Sequence, residues 1–336
     1  MKYLLGSAGL LIVISTACND QTVSKRHEPA PGGTTTERPA LNSPGNLEDP
    51  DDPCGMTSAF NIVPQAKSYI VGGEEAERGD LVTRSTVKLF IGEGHCTGTL
   101  IGENQILTAA HCFESQEDNP GATSIEYINS IDDISIGLGT SGAIDRGLEV
   151  TAVLPHPRYR GILGNAATNR YAETVFYDVA LVTFSGTLDA NYRPVTIGDS
   201  DSEISKNTRV TVAGYGVYSE NDNQIRPLTA VETRVEEVNE FREIQLQING
   251  KGACYGDSGG PTYVKSQSQS CLKLVGSTTG PGRDSNYSCN DGSGTMMDVT
   301  TYKGWIKCGL NAMGESLDYL YNDGSEKDCG ANQIIR

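Results

Sequence analysis

Four short segments contain the residues whose types and order could support hydrolytic chemistry. In chain order they are Ile70-Val71-Gly72-Gly73, Thr108-Ala109-Ala110-His111-Cys112, Tyr177-Asp178-Val179-Ala180-Leu181 and Gly256-Asp257-Ser258-Gly259-Gly260-Pro261. Together they supply a serine between glycines, a histidine and an aspartate. A serine hydroxyl is a weak nucleophile at neutral pH unless a neighbouring base accepts its proton, and histidine has a suitable pKa for that task. The set therefore indicates nucleophilic catalysis.

The order of the four segments resembles that of the chymotrypsin/trypsin family of serine endopeptidases. The resemblance extends from about Ile70 to Lys307. A Gly-x-Ser-x-Gly string alone would be weak support, because unrelated hydrolases share it. All four segments in one order are far more specific. The resemblance implies protein or peptide substrates and requires no cofactor.

The resemblance assigns a role to each of three residues. Ser258 would be the nucleophile, His111 the general base, and Asp178 the carboxylate that orients the histidine and stabilises its protonated form. Asp189 and Asp199 are alternatives to Asp178. Of the three aspartates, only Asp178 leads directly into an apolar segment that would keep the carboxylate buried.

Two further features of the family map onto this chain. The backbone N–H groups of Gly256 and Ser258 would form the oxyanion hole, which stabilises the charge that develops on the attacked carbonyl oxygen. Cleavage before Ile70 would free an α-amino group that pairs with Asp257, so the resemblance implies a zymogen. Because Tyr69 precedes the cleavage point, we expect an activator other than a trypsin-like protease, or self-activation in trans.

The substrate pocket would be uncharged. Gly252 lies six residues before Ser258, where a trypsin-like enzyme would carry Asp, and Gly294 corresponds to a glycine of the pocket wall. Two glycines favour an apolar or aromatic substrate side chain over Arg or Lys. Either Thr278 or Thr279 would take the place of the strand residue beside the substrate.

The elements that must position these residues are predominantly β-strands. Short apolar or alternating runs are separated by Gly, Asn or Asp, which indicates an all-β sandwich or barrel; the runs are Ser85–Ile91, Thr97–Ile101, Gln105–Thr108, Val179–Phe184, Arg209–Ala213 and Lys273–Gly276. Helical periodicity is confined to the region around Thr301–Lys307. With the resemblance, the expected fold is two packed six-stranded antiparallel β-barrels with a C-terminal helix, spanning residues 70–307.

The chain has nine cysteines. The resemblance implies two disulfides, Cys96–Cys112 beside the histidine and Cys254–Cys289 at the pocket. Four cysteines without a family counterpart allow three pairings; these are Cys54, Cys271, Cys308 and Cys329. We favour Cys308–Cys329, which would pin a C-terminal extension of residues 308–336, and Cys54–Cys271, which would retain the pro-segment.

The N-terminal residues indicate export. Residues 1–17 combine a basic start, an apolar run too short to span a bilayer and a small-residue end, which is typical of a signal peptide. The following Cys18 resembles the lipidated cysteine of bacterial lipoproteins, although Ser15 stands where Leu is usual; plain secretion is the alternative. Six of the fourteen prolines lie between residues 18 and 53, which predicts a disordered tether. Residues 54–69 would form the pro-segment.

Charge excludes several classes of partner. The formal net charge is −17, which argues against nucleic-acid binding and against adsorption to anionic membranes. Glu126, Asp132 and Asp133 follow no metal-binding spacing, so we interpret them as a solvated acidic face and expect no metal. We expect a monomer at a bacterial cell envelope, or a secreted one. A catalytically silent binding module is the alternative function.

Overall fold

The computed structural model describes residues 72–77, 80–115, 126–159, 177–199, 204–217, 226–265, 272–280, 289, 292–317, 320 and 329–336. Within these residues the fold consists of fourteen strands, two α-helices and short 3₁₀ turns. The strands are, in chain order, β1 (Glu74–Glu75), β2 (Thr86–Ile91), β3 (Gly94–Gly102), β4 (Gln105–Thr108), β5 (Ile134–Leu138), β6 (Ala143–Ile144), β7 (Glu149–Pro155), β8 (Ala180–Ser185), β9 (Arg209–Gly214), β10 (Thr229–Val238), β11 (Glu243–Leu246), β12 (Pro261–Lys265), β13 (Leu272–Gly280) and β14 (Thr295–Asp298). The helices are α1 (Leu81–Ser85) and α2 (Lys303–Met313).

The strands form two antiparallel sheets. The first has the order β6-β5-β2-β3-β4-β8-β7, and the second has the order β1-β10-β11-β14-β13-β12-β9. Pairing of β9 with β10 closes the second sheet into a six-stranded barrel, with β1 added at its edge. The first sheet is a half-barrel that closes no ring among the described residues. The all-β, chymotrypsin-like fold is confirmed, and each of the six predicted strand segments overlaps a strand.

Alternation of side chains explains the core of each sheet. In β10, Thr229, Val231, Thr233 and Val235 are buried, while the residues between them are more exposed. This period of two places one face of the strand inside the barrel. In β2, by contrast, both faces are buried, because one faces the core of the first sheet and the other faces the second barrel.

We call the buried contact between the sheets the barrel seam, defined by Thr86, Lys88, Thr97, Tyr215 and Tyr263. The hydroxyls of Thr86 and Tyr263 lie 3.1 Å apart, and the N–H of Tyr215 donates to Thr97 Oγ1 at 3.1 Å. All five residues are almost fully buried. The seam is therefore polar, and its hydrogen bonds join the two halves of the fold.

The C-terminal helix is longer than the predicted one. A 3₁₀ turn over Val299–Tyr302 leads into α2, and Gly314 ends the helix in a left-handed conformation. Trp305, Ile306 and Leu310 form its buried stripe. No helix among the described residues has the length and apolar character needed to cross a bilayer.

Residues beyond the helix return to the domain. A disulfide joins Cys308 of α2 to Cys329, and the indole N–H of Trp305 donates to the Cys329 carbonyl at 3.3 Å. Further on, Ile335 exchanges two backbone hydrogen bonds with Val153 of β7. The end of the described chain is thus tied to the helix and to the first sheet.

Candidate active site

Strand pairing brings His111 and Asp178 together. β4 and β8 are antiparallel neighbours, with Thr108 opposite Ala180. His111 lies in the 3₁₀ turn Ala110–Phe113 that follows β4, and Asp178 lies two residues before β8. Because the end of β4 adjoins the start of β8, the two side chains meet although 67 positions separate them in the sequence.

The contact between these two residues has a defined geometry. His111 Nδ1 lies 2.8 Å from Asp178 Oδ2, and the backbone N–H of His111 donates to Asp178 Oδ1 at 2.9 Å. Asp178 is fully buried, whereas the His111 side chain is 17% exposed. Burial alone would lower the pKa of His111, but the charge and hydrogen bond of Asp178, with a smaller contribution from Glu114, raise it above its ordinary value. A carboxylate at Nδ1 leaves Nε2 as the nitrogen that can act as a base.

Ser258 lies beside the same disulfide as the histidine. Cys96 and Cys112 are joined in a disulfide. The carbonyl oxygen of Ser258 is 4.0 Å from Cys112 Sγ, and the two sulfurs and a ring nitrogen of His111 lie within 4.8 Å of one another. The backbone N–H of Thr97 donates to the Ser258 carbonyl at 2.8 Å. The backbone of the half-buried serine therefore lies beside the disulfide that also adjoins the His111 ring.

The turn around Ser258 leaves two amides unused. The N–H of Asp257 donates to the Cys254 carbonyl at 3.1 Å. Neither the N–H of Gly256 nor that of Ser258 has a hydrogen-bond partner in the described part of the chain. Two unused donors on either side of one used donor form a site that can accept a negatively charged oxygen.

The position of Gly256 requires glycine. Its φ angle is +93°, in the region that L side chains rarely adopt. A Cβ atom there would lie 2.5 Å from Nε2 of His95. Both backbone conformation and space exclude a larger residue.

Asp257 is a buried carboxylate held by backbone donors. Oδ1 accepts from Gly216 N at 2.8 Å, and Oδ2 accepts from Cys254 N at 2.9 Å. Burial raises the pKa of Asp257 to about 7, although both hydrogen bonds oppose this rise. Among the described residues, no cationic side chain contacts this carboxylate.

Comparison with known proteins agrees with this geometry. The family model described as Trypsin matches residues 70–306. The chain belongs to the trypsin family. Residues 70–306 therefore form a serine endopeptidase domain.

Individual relatives of this trypsin-family domain are distant in sequence. The chain is 29% identical to testisin of Homo sapiens over 58% of the chain and 64% of testisin. It is 26% identical to a trypsin of Phaedon cochleariae over 70% of the chain and 86% of that protein. It is also 26% identical to transmembrane protease serine 9 of Rattus norvegicus over 85% of the chain but only 24% of that protein.

The two predicted pocket glycines lie next to each other in the trypsin-family domain. Ala253 N donates to the Ser293 carbonyl at 2.9 Å, and a Cβ on Gly252 would lie 2.1 Å from the same carbonyl oxygen. A Cβ on Gly294 would lie 2.8 Å from Cε of Met296, which is fully buried. The uncharged pocket remains a prediction, and the Met296 thioether occupies space beside Gly294.

The aspartates that could have replaced Asp178 are bound elsewhere. Asp189 accepts the backbone N–H and the side-chain amide of Asn191. Asp199 forms ion pairs with Lys303 at 2.8 Å and with Lys273 at 3.7 Å. Neither aspartate forms a contact with His111 in the described structure.

The side chains considered for metal binding form no oxygen-rich site in the described residues. Glu126, Asp132 and Asp133 are exposed. In the part of the chain that the structure describes, the one cluster of potential ligands combines His111 with Cys96 and Cys112. Because both sulfurs are in a disulfide, this cluster offers no thiolate to a metal ion.

Cysteine pairing agrees with the predictions where the chain is described. Besides Cys96–Cys112, the structure contains Cys254–Cys289, and it also contains the Cys308–Cys329 bond favoured above. Ile70, Cys18, Cys54 and Cys271 lie outside the described residues. The expectations for activation, lipidation and the fourth disulfide therefore remain predictions.

Two seam residues near the site were not identified from sequence. Thr97 Oγ1 donates to the carbonyl of Gly256 at 2.8 Å, across 159 positions. Lys88 is fully buried, its ammonium has no hydrogen-bond partner among the described residues, and burial lowers its pKa to about 8. Its ammonium lies 5.2 Å from the ring centre of Phe90 and 5.7 Å from that of Tyr215. Only the position of Thr97, beside Cys96, could have pointed to the site.

Proposed function

We propose that the chain is an active serine endopeptidase that uses Ser258, His111 and Asp178. The observation that carries the proposal is the 2.8 Å contact between His111 Nδ1 and Asp178 Oδ2. The Ser258 backbone adjoins the same disulfide as His111. The domain belongs to a family of serine endopeptidases. Protein or peptide substrates follow from the family.

The proposed reaction proceeds in two stages. Ser258 Oγ attacks the scissile carbonyl while His111 Nε2 accepts the hydroxyl proton, and His111 then donates that proton to the departing amine. Water hydrolyses the acyl-enzyme by the same route. Asp178 keeps the imidazole in the productive tautomer and stabilises its positive charge. The raised pKa of His111 is consistent with this role.

The unused N–H groups of Gly256 and Ser258 would stabilise the tetrahedral intermediate. The carbonyl oxygen becomes negatively charged when Ser258 attacks, and two preorganised donors lower the free energy of that state. Removing one such donor costs about 3–4 kcal/mol in related sites.

We propose that cleavage before Ile70 activates the enzyme. The buried carboxylate of Asp257, which contacts no cationic side chain among the described residues, would pair with the new α-ammonium group. Gly72, two residues after Ile70, packs against Gly250, where an added Cβ would lie 2.3 Å from the Gly250 carbonyl. Two residues span up to about 7 Å, so Ile70 would lie within about that distance of Gly72 and its neighbour Gly250. Cleavage after Tyr69 requires an activating protease of chymotryptic preference, or the enzyme itself in trans.

The proposed preference is for an apolar or aromatic side chain at P1. Neither Gly252 nor Gly294 carries a charge that could pair with Arg or Lys. The neighbouring Met296 side chain is apolar as well. Thr278 uses both backbone groups to bind Gly259 and Gly260, which favours Thr279 as the residue beside the substrate.

We propose that the protein is exported and acts as a monomer. Residues 1–17 would direct export, Cys18 would carry a lipid at a bacterial cell envelope, and residues 18–53 would tether the domain. Membrane contact would then occur only through the lipid; secretion without a lipid is the alternative. Palmitate incorporation into the wild type that is lost in Cys18→Ser would support lipidation.

Fluorophosphonate labelling tests the function. The chain would be labelled before and after limited cleavage by chymotrypsin, and the labelled residue mapped by mass spectrometry, with Ser258→Ala as control. We expect label on Ser258 only when the new N-terminus is Ile70. Labelling before any cut would contradict the activation scheme. A folded, correctly cut protein that takes no label would instead indicate a silent binding module.

A further inference from the structure

Each carbonyl from Tyr255 to Ser258 is held by a defined donor. Val217 N donates to Tyr255 O at 2.8 Å, and Gly260 N donates to Asp257 O at 2.8 Å. The Ser258 carbonyl accepts from the backbone N–H of Thr97, as described above. The Gly256 carbonyl differs, because it accepts from a side chain, the Thr97 hydroxyl, at 2.8 Å.

The direction of the Thr97 hydroxyl bond is unambiguous. A backbone N–H can only donate, so Tyr215 N at 3.1 Å makes Thr97 Oγ1 an acceptor. A carbonyl can only accept, so the hydroxyl proton must point to Gly256 O. The Thr97 side chain therefore connects Tyr215 in the barrel seam to the turn that carries Ser258.

The held carbonyl adjoins a flexible position. Gly256 has a φ of +93° and lacks a side chain that would restrict rotation. Separate hydrogen bonds fix the peptides on either side of its Cα. The Val217 N–H binds the carbonyl of the Tyr255–Gly256 peptide, and the Thr97 hydroxyl binds the carbonyl of the Gly256–Asp257 peptide. Because a trans peptide directs its N–H opposite to its carbonyl, the Val217 bond turns the Gly256 N–H away from Val217.

We propose that Thr97 is a positioning residue: together with the Asp257 N–H bond to Cys254, it fixes the peptide between Gly256 and Asp257. That peptide links the two peptides that carry the Gly256 and Ser258 N–H groups, so its orientation sets the angle at which the two donors converge on the substrate carbonyl. This inference rests on the proposed endopeptidase function. Thr97 does not touch substrate. Its hydroxyl prevents rotation of the linking peptide, which would turn the Gly256 and Ser258 N–H groups away from a common point.

The test compares variants that remove one buried hydroxyl each. Thr97→Val deletes the bond to Gly256, and Thr97→Ser retains a hydroxyl. Thr86→Val is the matched control, because Thr86 is equally buried in the same seam and bonds Tyr263 rather than the turn. Thr97→Ala provides the same comparison should Thr97→Val not fold. Each protein would be cleaved before Ile70 and assayed on a peptide amide well below its Tm.

We expect Thr97→Val to lower kcat by about 10-fold to 100-fold with KM nearly unchanged, less than the 10²–10³-fold loss when a donor is removed outright. Thr97→Ser should recover most of the rate, and Thr86→Val should lower Tm with little effect on kcat. A folded Thr97→Val or Thr97→Ala with wild-type kcat would overturn the proposal. So would equal rate losses in Thr86→Val. An activated wild type that neither turns over nor labels at Ser258 would refute the proposed function itself.

Discussion

Cleavage before Ile70 should stabilise the domain in a pH-dependent way. In the structure, Asp257 is fully buried, its carboxylate binds only backbone donors among the described residues, and burial raises its pKa to about 7. An acid with a raised pKa in the folded state binds more protons folded than unfolded. Its contribution to stability therefore falls as the pH rises from about 4 to about 7.

The magnitude follows from the difference between the two pKa values. Raising the pKa from 3.8 to about 7 corresponds to about 4 kcal/mol at 1.36 kcal/mol per unit. The uncut chain should lose up to that amount between pH 4 and pH 7. In the cut chain, an α-ammonium group beside Asp257 would lower the pKa of Asp257 again. The cut chain should therefore keep its stability between pH 4 and pH 7. The stability difference between the two forms should thus grow from near zero at pH 4 to about 4 kcal/mol at pH 7.

Urea unfolding of matched chains measures this difference. Both would carry Ser258→Ala to prevent self-digestion, and residues before Ile70 would be replaced by a site for a sequence-specific protease. A control chain cut one residue earlier, so that it begins at Tyr69, should behave like the uncut form. The other carboxylates are present in both forms, so their contributions to the pH dependence of stability cancel in the difference. An equal stability gain at both pH values would refute the reasoning.

Two other substitutions test the described contacts. Asp178→Asn should preserve the fold but lower kcat by about 10⁴-fold, as in the type enzymes of this mechanism, because an amide can donate to His111 Nδ1 and impose the wrong tautomer; steady-state kinetics on a peptide amide would measure it, and a loss below 10-fold would contradict the role of Asp178. Lys88→Met should raise the free energy of unfolding by up to about 3 kcal/mol at pH 7, since burial lowers the Lys88 pKa from 10.5 to about 8 and so penalises the charged form below pH 8. Urea unfolding should show that gain shrinking as the pH rises from about 8 to 10.5, because folded Lys88 is then neutral while unfolded Lys88 is still losing its proton; an undiminished gain would mean that packing, not charge, is responsible.

The sequence predicts the fold and the centre of the site because both can be recognised from patterns within short stretches of the chain. Alternating strands indicate the sheets, and the residues beside His111 and Asp178 mark the ends of two strands that happen to pair. The family resemblance then supplies the roles. These features need only short stretches of chain to be recognised.

Contacts across the barrel seam could not be predicted in this way. Lys88 lies between Val87 and Leu89, where alternation favours a solvent-facing side chain, but the second barrel covers that face. Thr97 resembles an ordinary strand threonine, and its partner is 159 positions away. At the pocket, glycines suggest open space, whereas the Met296 side chain turns back towards Gly294. Each feature depends on packing between segments distant in sequence.

The pairing of Ile335 with Val153 also affects how readily β7 could pair with a strand of another copy of the protein. The first sheet closes no ring in the described structure, so β7 would otherwise present unpaired N–H and C=O groups to other chains. Ile335 occupies two of these groups at the middle of the strand, and the Cys308–Cys329 bond keeps its segment nearby. The C-terminal segment thus leaves fewer backbone groups of β7 open to pairing with a strand of another chain, a consequence independent of hydrolysis.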